Sequence, residues 1–458
     1  MNLKNKKVLI VGLATTGIPL VKVLKKLGAK VMITDTKSRK ELQETTEKLK
    51  LTGEELLLGQ QLRNLKEAGD PELVILSPGV PTEIPLVLDA KLNGIEVIGE
   101  IELAYRLMKG QLVAITGTNG KTTTTALTGE IIKKENPKTH IVGNIGFPMI
   151  SKVLNSTEED CFIAEVSSFQ LESVKNFRPD IAAILNLTPD HLNRHKTMEN
   201  YTRCKMNIFS NQRFNDTAII NYDDSFLRDA TLHLGARKFY FSRLTPLEEG
   251  VFIKSEKITV KTHNKEIAVV DKKDLKILGE HNVENALAAT AIAWSLGISI
   301  ENIRAGLKSF KGVEHRMEVC GEVHGITFIN DSKGTNPDAS IKAVEAVNDP
   351  IILLAGGMDK GSDFEALIDH FPGRVKYLVV YGETAPVIEK TAKEKGFRNT
   401  KAVKNLEQAA KFAFDQGVTG DVILLSPACA SWDMYSSYEK RGEHFKEIFK
   451  KLGRVSDD

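Results

Sequence analysis

Short apolar runs alternate with amphipathic stretches over the first hundred residues. The runs at Lys7–Val11, Lys30–Thr34 and Leu73–Leu76 have the length of buried strands. Between the first two, Ile18–Leu27 carries apolar residues at helical spacing. This rhythm predicts a parallel sheet with crossover helices. The segment Gly99–Gly110 is interpreted as a linker with one helical stretch.

Two further units continue the pattern. Each alternates apolar strands with helices, and β-rich pieces between residues 244 and 270 predict an antiparallel side sheet in the second unit. The predicted elements are Leu112–Ile115, Cys161–Glu165, Ile181–Leu185 and helix Asn282–Leu296 in the second unit, then strands Thr327–Asn330, Ile351–Ala355, Tyr377–Val380 and Val422–Leu425 and helices Ala385–Lys395, Leu406–Gln416 and Tyr438–Leu452 in the third. The expected fold class is α/β with three domains, at residues 1–99, 100–312 and 313–458.

Composition narrows the possible classes of protein. The 458 residues include 62 Lys and Arg against 60 Asp and Glu, a net charge of +2, which argues against binding nucleic acid through bulk charge. The four cysteines are far apart in the sequence, with no CxxC pair and no Cys/His cluster, which argues against a disulfide framework and a structural zinc site. The apolar run near the N-terminus is too short for a membrane span and lacks a cleavage site for a signal peptide. We therefore expect a cytoplasmic protein without a membrane span.

The strongest chemical motif is the loop TGTNGKTTT at residues 116–124, between an apolar strand and a helix. In this context glycines let backbone N–H groups face phosphate oxygens at a helix N-terminus. Lys121 can reach the outer phosphates, and the Thr122 hydroxyl can ligate Mg²⁺. Gly117 lies two positions closer to the lysine than in the usual GxxxxGK[ST] pattern. The alternative is a glycine turn that merely precedes a helix.

A second glycine loop, residues 12–17, follows the first strand, and Asp35 follows the second strand about 20 positions later. The spacing is that of the dinucleotide fingerprint GxGxxG, but Ala14 replaces the middle glycine and would crowd a pyrophosphate. A complete NAD site is therefore disfavoured. A site for another nucleotide and a plain turn between strand and helix both stay open.

Candidate metal ligands follow the strands of the second unit. Glu165 ends a strand and is placed to hold Mg²⁺ beside the phosphates, although acids are also common at helix N-termini. His191 is a candidate ligand that Asp190 would orient. Lys205 lies four residues after Tyr201 on one helical stripe, where a solvated surface lysine is the alternative.

Polar clusters also follow the strands of the third unit, at the sheet edge where ligands bind in open α/β folds. Asn282 comes earlier, at a helix start, where it is equally suited to capping the helix. The clusters are His315-Arg316 before a strand, and Asp331–Pro337, Gly356–Lys360 and Ser426–Ser431 after strands.

Together these motifs resemble the Mur ligase family of cell-wall synthesis. Its GTNGKT loop, E-x-S-S-F-Q acid, N-x-x-x-D-H loop, Y-x-x-x-K helix, G-x-H-N-x-x-N-A segment and H-R pair all occur here in order, over nearly the whole chain. Asp331-Ser332-Lys333, the segment Ser426–Ser431, and Asp35-Thr36 with Ser77-Pro78-Gly79 resemble the branch that adds D-glutamate. The resemblance implies a Rossmann-like N-terminal domain, a central P-loop domain with a side β-sheet, and a Rossmann-like C-terminal domain.

The resemblance also implies an activity. D-glutamate would be joined to UDP-N-acetylmuramoyl-L-alanine through an acyl phosphate, with release of ADP and phosphate in peptidoglycan precursor synthesis. The implied partners are these two substrates and ATP, with two Mg²⁺ ions and no nucleic acid. The enzyme would be a monomer, and its third domain would close over the middle site. Three alternatives stay open: a nucleotide-dependent oxidoreductase, a non-catalytic NTPase switch, and a Mur ligase that adds another residue.

The family pattern assigns a role to each matching position. Catalysis would involve Lys121, Glu165, His191, Lys205 and Lys333. ATP would be bound by Gly117, Thr118, Asn119, Gly120, Lys121, Thr122, Thr123, Asn282, Arg316 and Asp331. Metal would be held by Thr122, Glu165, His191 and Lys205, the lysine as a carbamate, since an ammonium cannot bind a cation. The UDP-substrate would contact Ala14, Thr15, Thr16, Asp35, Thr36, Ser77, Gly79 and Asn144. D-glutamate would contact Lys333, Thr335, Lys360, Ser431 and Tyr438. Tyr438 and Trp432 stand where the family often has Phe, and Leu or Phe, respectively.

Overall fold

The computed structural model describes residues 1–13, 17–49, 56–263, 265–358 and 361–455. The chain divides by its contacts into two compact units. The first comprises Met1–Asp274 and Glu284–Lys308, and the second comprises Leu275–Val283 and Ser309–Asp458. The predicted positions Ala14, Thr15, Thr16 and Lys360 lie outside the described residues.

The first unit begins with a five-stranded parallel sheet in the order β3-β2-β1-β4-β5. Its central strand is apolar on both faces, because Val8 and Ile10 enter one hydrophobic core and Leu9 and Val11 enter another. Helices therefore cover both faces. The elements are β1 (Lys7–Val11), α1 (Gly17–Lys26), β2 (Lys30–Asp35), α2 (Gln43–Leu49), β3 (Leu56–Leu58), β4 (Leu73–Leu76), α3 (Pro85–Leu92), β5 (Glu96–Gly99) and α4 (Glu100–Leu107).

A nine-stranded sheet follows, in the order β14-β13-β12-β11-β10-β9-β6-β8-β7. Its strands from β7 to β12 run parallel, and β12, β13 and β14 form antiparallel hairpins. The elements are β6 (Gln111–Thr116), α5 (Lys121–Lys133), β7 (Thr139–Gly143), β8 (Cys161–Glu165), α6 (Ser168–Leu171), β9 (Ile181–Ile184), α7 (Leu192–His195), α8 (Met198–Met206), β10 (Thr217–Asn221), α9 (Ser225–Ala230), β11 (Arg237–Ser242), β12 (Gly250–Lys254), β13 (Lys257–Thr262), β14 (Lys265–Asp271), α10 (Glu280–Ser295) and α11 (Ile300–Ser309), with 3₁₀ turns at Met149–Ser151, Val153–Asn155, Asn207–Phe209 and Lys272–Asp274.

Buried carboxylates connect these two sheets through helix α4. Glu102 accepts backbone N–H groups from Lys175, Asn176 and Phe177 at 2.9–3.1 Å. Residues of both sheets also share one hydrophobic core. The N-terminal and central parts of the chain consequently belong to one compact unit.

The second unit contains a six-stranded sheet in the order β15-β16-β20-β17-β18-β19, parallel except for β15. Alternate residues of β17 enter two separate cores, so helices pack on both faces of this sheet as well. The elements are β15 (Glu318–Val323), β16 (Ile326–Asn330), α12 (Pro337–Glu345), β17 (Ile351–Gly356), α13 (Glu365–Asp369), β18 (Val375–Tyr381), α14 (Ala385–Glu394), β19 (Thr400–Ala402), α15 (Leu406–Gln416), β20 (Val422–Leu425) and α16 (Tyr438–Val455).

Two details differ from the pattern expected from the sequence. The antiparallel side strands are continuous with the central sheet, because Phe241 and Ser242 of β11 pair in parallel with Val251 and Phe252 of β12. Helix α10 begins at Glu280 rather than Asn282. Asn282 therefore lies in the first turn, where its amide donates to the Leu278 carbonyl oxygen at 2.6 Å.

Candidate active site

The glycine loop lies between the end of β6 and the start of α5, as expected for a phosphate-binding loop. Gly120 is the residue before the helix and has φ of +83°. A Cβ atom at this position would lie 2.2 Å from the Asn285 side-chain oxygen. The left-handed backbone conformation and the lack of room for a Cβ atom therefore both require glycine.

The neighbouring strand end holds this loop in place. The backbone N–H groups of Thr118 and Asn119 donate to the Asn186 carbonyl and side-chain oxygens at 3.0 and 2.8 Å. The Lys121 ammonium donates to the carbonyl oxygens of Gly117 and Thr118 at 2.9 and 2.8 Å. The P-loop lysine thus lies over its own loop, at the N-terminus of α5.

Lys205 is buried against the same loop, not solvated on the surface. Its side chain is on α8, the residue is 2% exposed, and its amine donates to the Gly117 carbonyl at 2.8 Å and the Thr116 hydroxyl at 3.2 Å. Burial, and then the charge of Lys121, hold the pKa of Lys205 well below its usual value. The Tyr201 ring centroid is 4.9 Å from the amine.

Glu165 ends β8 on the other side of β6 and is 1% exposed. One carboxylate oxygen accepts the Asn144 amide at 2.9 Å. The other is buried and has no hydrogen-bond partner among the described residues. A buried carboxylate oxygen without a donor suits a metal ion, which would satisfy it.

His191 lies at the start of α7 with φ of +52°, a conformation that few residues other than glycine adopt. Its Nε2 atom is 3.5 Å from a carboxylate oxygen of Asp190, and its ring centroid is 4.9 Å from that of Phe169. The imidazole is half exposed, so it is accessible to a ligand.

Four of the predicted UDP-substrate residues, Asp35, Thr36, Ser77 and Gly79, lie at or just after the ends of strands β2 and β4 of the first sheet. Asp35 accepts the Leu13 N–H at 2.7 Å, which fixes the beginning of the loop after β1. The Ser77 hydroxyl donates to the Gly12 carbonyl at 2.8 Å. Thr36 is exposed beside Asp35, whereas Asn144 belongs to the Glu165 cluster of the central sheet.

In the second unit, the predicted residues gather after β16 and β20. Asp331 is buried, which raises its pKa to about 6, and it accepts the Ser426 hydroxyl at 2.7 Å. The Lys333 backbone N–H donates to the His315 carbonyl, and its ammonium lies 5.7 Å from the Tyr438 ring centroid. Ser431 is buried nearby along the last strand's loop.

Sequence reasoning assigned no role to Arg441, which is fully buried in this cluster. Its guanidinium donates to the Ser332 hydroxyl and carbonyl at 2.9 and 2.8 Å and to the Cys429 carbonyl at 3.2 Å. It thereby ties the loop after β16 to the loop after β20. The one signal in the sequence that could have found Arg441 is a charged residue on the apolar face of the C-terminal amphipathic helix.

Within the second unit, Arg316 lies close to the start of helix α10, which carries Asn282. Arg316 is partly buried. Burial of His281, and secondly the positive charge of Arg316, lower the pKa of His281 to about 4. His281 is next to Asn282 in α10. Two of the predicted nucleotide contacts of this unit, Asn282 and Arg316, therefore lie around the start of α10.

The structure thus combines a P-loop, buried candidates for metal ligands and separate polar clusters on three sheets. These features are those of an enzyme that acts on a nucleotide. Three family models match: the Mur ligase MurD-like N-terminal domain at residues 6–99, the Mur ligase middle domain at 115–293, and the Mur ligase glutamate ligase domain at 315–429. The chain belongs to the Mur ligase family, whose members are ATP-dependent ligases of peptidoglycan precursor synthesis.

Named relatives and solved structures agree with this family. The UDP-N-acetylmuramoylalanine–D-glutamate ligase of Alkaliphilus oremlandii is 55% identical over 99% of this chain and 100% of its own, and that of Clostridioides difficile is 46% identical over 98% and 99%. The fold is similar to that of the Thermotoga maritima UDP-N-acetylmuramate-alanine ligase MurC (TM-score 0.60, 20% identity, 98% and 100% coverage). It is also similar to MurF ligase of the same organism in complex with ADP (TM-score 0.59, 17% identity, 99% and 96% coverage).

Proposed function

We propose that this enzyme joins the amine of D-glutamate to the carboxyl group of UDP-N-acetylmuramoyl-L-alanine. A free carboxylate is a poor electrophile, so ATP first converts it to an acyl phosphate. The amine then attacks, and the tetrahedral intermediate releases phosphate. The relatives that carry this activity in their names, at 55% identity over nearly the whole chain, support the choice of substrates.

The observation that carries the proposal is the pairing of the P-loop with two buried metal-ligand candidates. Lys205 donates to the Gly117 carbonyl of the loop, and Glu165 presents a buried oxygen without a donor. In this arrangement the loop N–H groups and Lys121 would hold and neutralise the transferred phosphoryl group.

We propose that two Mg²⁺ ions are bound here, with Thr122 and Glu165 holding one and His191 and Lys205 the other. The buried oxygen of Glu165 fits a cation, and the exposed imidazole of His191 is accessible to one. When bound, Mg²⁺ supplies charge neutralisation for phosphoryl transfer.

We further propose that Lys205 carries a carbamate. Only a neutral amine attacks CO₂, and burial beside Lys121 favours the neutral form. The product is a carboxylate-like ligand, formed with loss of one proton. Native mass spectrometry of the bicarbonate-equilibrated enzyme should find one added CO₂ that is absent from Lys205→Arg. An active enzyme with unmodified Lys205 would refute the carbamate while leaving the ligase activity established.

The remaining site residues are proposed by their matching positions. The ATP contacts are Gly117, Thr118, Asn119, Gly120, Lys121, Thr122, Thr123, Asn282, Arg316 and Asp331; the UDP-substrate contacts are Ala14, Thr15, Thr16, Asp35, Thr36, Ser77, Gly79 and Asn144; and the D-glutamate contacts are Lys333, Thr335, Lys360, Ser431 and Tyr438. The domains proposed for the three substrates are residues 1–99, 100–312 and 313–458. The end of the first sheet at Gly99 and the start of the third at Glu318 support these boundaries.

We propose that the enzyme acts in the cytoplasm as a monomer. All four cysteines are free thiols, which suits a reducing compartment. In the part of the chain that the structure describes, no helix is long and apolar enough to cross a membrane. Light scattering coupled to gel filtration tests the monomer directly.

One assay tests the proposed reaction. Phosphate release is measured with ATP, Mg²⁺ and UDP-N-acetylmuramoyl-L-alanine against D-glutamate, L-glutamate, L-lysine and diaminopimelate. We expect release with D-glutamate alone, and none when the UDP-substrate is omitted. Release with L-lysine or diaminopimelate instead of D-glutamate would reassign the enzyme within the family, and release without any amino acid would indicate an NTPase.

A further inference from the structure

Arg194 connects the central sheet to the turn that follows β4 in the N-terminal sheet. Its guanidinium donates to the Val80 carbonyl oxygen at 3.0 Å and lies 3.5 Å from that of Gly79. This turn begins at Ser77, whose hydroxyl donates to the Gly12 carbonyl. The Arg194 contact therefore reaches the backbone of the proposed UDP-substrate loop.

The guanidinium itself is held from behind. Glu172 accepts from its Nη2 and Nε atoms at 2.7 and 3.3 Å, and both side chains are largely buried. The Phe169 ring centroid lies 5.4 Å from the guanidinium carbon. A charge pair backed by an aromatic ring is a rigid support for an arginine.

Glu172 also lies beside His195 and Cys204, and their ligand-type atoms are within 4.8 Å of one another. A metal ion is a poor occupant for this cluster. Glu172 is already paired with Arg194, His195 faces the Ser168 hydroxyl at 2.9 Å, and the positive charges of Arg203 and Arg194 act on the thiol. The cluster is better explained as the support of the guanidinium.

Arg194 also belongs to the same helical turn as His191. Helix α7 is a single turn, Leu192–His195, and the backbone N–H groups of Arg194 and His195 both donate to the His191 carbonyl at 3.0 Å. The Phe169 ring contacts His191 and Arg194 together. A shift of the guanidinium would therefore move the candidate metal ligand.

We infer that Arg194 is a positioning residue that couples the UDP-substrate loop to His191, the proposed ligand of the second Mg²⁺. Seating of the UDP-substrate fixes the Ser77–Val80 turn, the turn fixes Arg194 through two carbonyl oxygens, and α7 then holds His191 in place. This inference rests on the proposed function. It assigns Arg194 no contact with the reacting atoms.

Arg194→Ala should raise the KM for UDP-N-acetylmuramoyl-L-alanine and the free Mg²⁺ needed for half-maximal rate, each by roughly tenfold, because sub-ångström misplacement is costly at such sites. The KM for D-glutamate should change less than about twofold. Arg194→Lys, which can reach only one carbonyl, should restore part of the Mg²⁺ response. Arg203→Ala is the matched control, since Arg203 is exposed on α8 and its guanidinium donates to the Asn200 side chain of the same helix.

Calorimetric titration with UDP separates this inference from the proposed reaction. Arg194→Ala should weaken UDP binding severalfold in the folded enzyme, whether or not the expected ligation is found. Unchanged UDP affinity and Mg²⁺ response in a variant of normal thermal stability would overturn the coupling. An equal decline of every kinetic parameter would also overturn it, because that pattern indicates a merely structural role.

Discussion

At the scale of single residues, burial decides which charged groups are chemically unusual. Lys205 and Glu165 are nearly inaccessible; Lys205 donates to the Gly117 carbonyl of the P-loop, and Glu165 ends the strand beside β6. Burying a charge is costly unless it is paired or neutralised. For Lys205 this cost appears as a pKa held well below its usual value by burial and by the charge of Lys121. The Glu165 carboxylate accepts the Asn144 amide on one oxygen and, as proposed, Mg²⁺ on the other.

A second buried carboxyl predicts a pH dependence of stability. Glu100 begins α4 and is 2% exposed; one oxygen accepts the Ile150 N–H at 2.8 Å, and the other has no partner among the described residues. Burial raises the pKa of Glu100 to about 7. The unfolded chain loses this proton near pH 4.5 and the folded chain near pH 7, so its contribution to stability is present at low pH and is lost over that window.

Glu100→Gln removes this titration but keeps an acceptor for Ile150. The free energy of unfolding of the variant relative to wild type should therefore rise between pH 5 and 7, by a total of about 2 kcal/mol. Urea unfolding at half-unit pH steps measures it, and Glu83→Gln, an exposed carboxyl, is the control. A pH-independent difference would show that Glu100 is ionised throughout this range.

The sequence singled out Lys121, Glu165 and Lys205 as candidate site residues, but it gave no sign of the contacts that Arg194 and Arg441 make. The first three follow strand ends or helical stripes, which leave a pattern in the sequence. The two arginines instead bind backbone carbonyls that are far away in the chain, such as Val80. A carbonyl oxygen is present at every residue, so no residue type marks such a partner.

At the scale of elements, the buried strands β4 and β20 were predicted from the sequence, and the short polar strand β19 was not. β4 and β20 are buried along their whole length and match their predicted bounds. β19 has three residues, Thr-Lys-Ala, and none is buried. Its strand conformation comes from pairing with β18, which is a tertiary contact with no local signature.

The P-loop supplies a prediction at this scale. Gly120 and Gly297 have nearly equal φ angles, +83° and +82°, but a Cβ at Gly120 would lie 2.2 Å from the Asn285 oxygen, whereas Gly297 has open space. Gly297→Ala should cost only backbone strain, about 1 kcal/mol. Gly120→Ala should pay that strain and also displace the loop, so its KM for ATP should rise at least about tenfold. Thermal unfolding and ATP kinetics of the two variants measure the difference, and equal ATP kinetics would show that the loop tolerates a side chain.

At the scale of the whole molecule, each sheet presents its polar residues at the carboxyl ends of neighbouring strands. Gly12 and Ser77 follow the adjacent strands β1 and β4, where the strand order of the first sheet reverses. The P-loop follows β6, between β8 and β9. We propose one substrate site at each of the three sheets. A net charge of +2 is compatible with this proposal, because placed groups rather than a basic surface would hold the anions.

Separate sites predict that nucleotide chemistry and UDP-substrate binding can be lost independently. Lys121→Ala removes the cation at the P-loop and should abolish phosphate release, while the calorimetric affinity for UDP-N-acetylmuramoyl-L-alanine stays within about twofold. Ser77→Ala removes the hydroxyl that donates to the Gly12 carbonyl. This variant should weaken the binding of the UDP-substrate while leaving ATP binding intact. If Lys121→Ala lost both properties in a folded enzyme, the two ligands would have to share one site. The arrangement of the sheets would then no longer account for the chemistry.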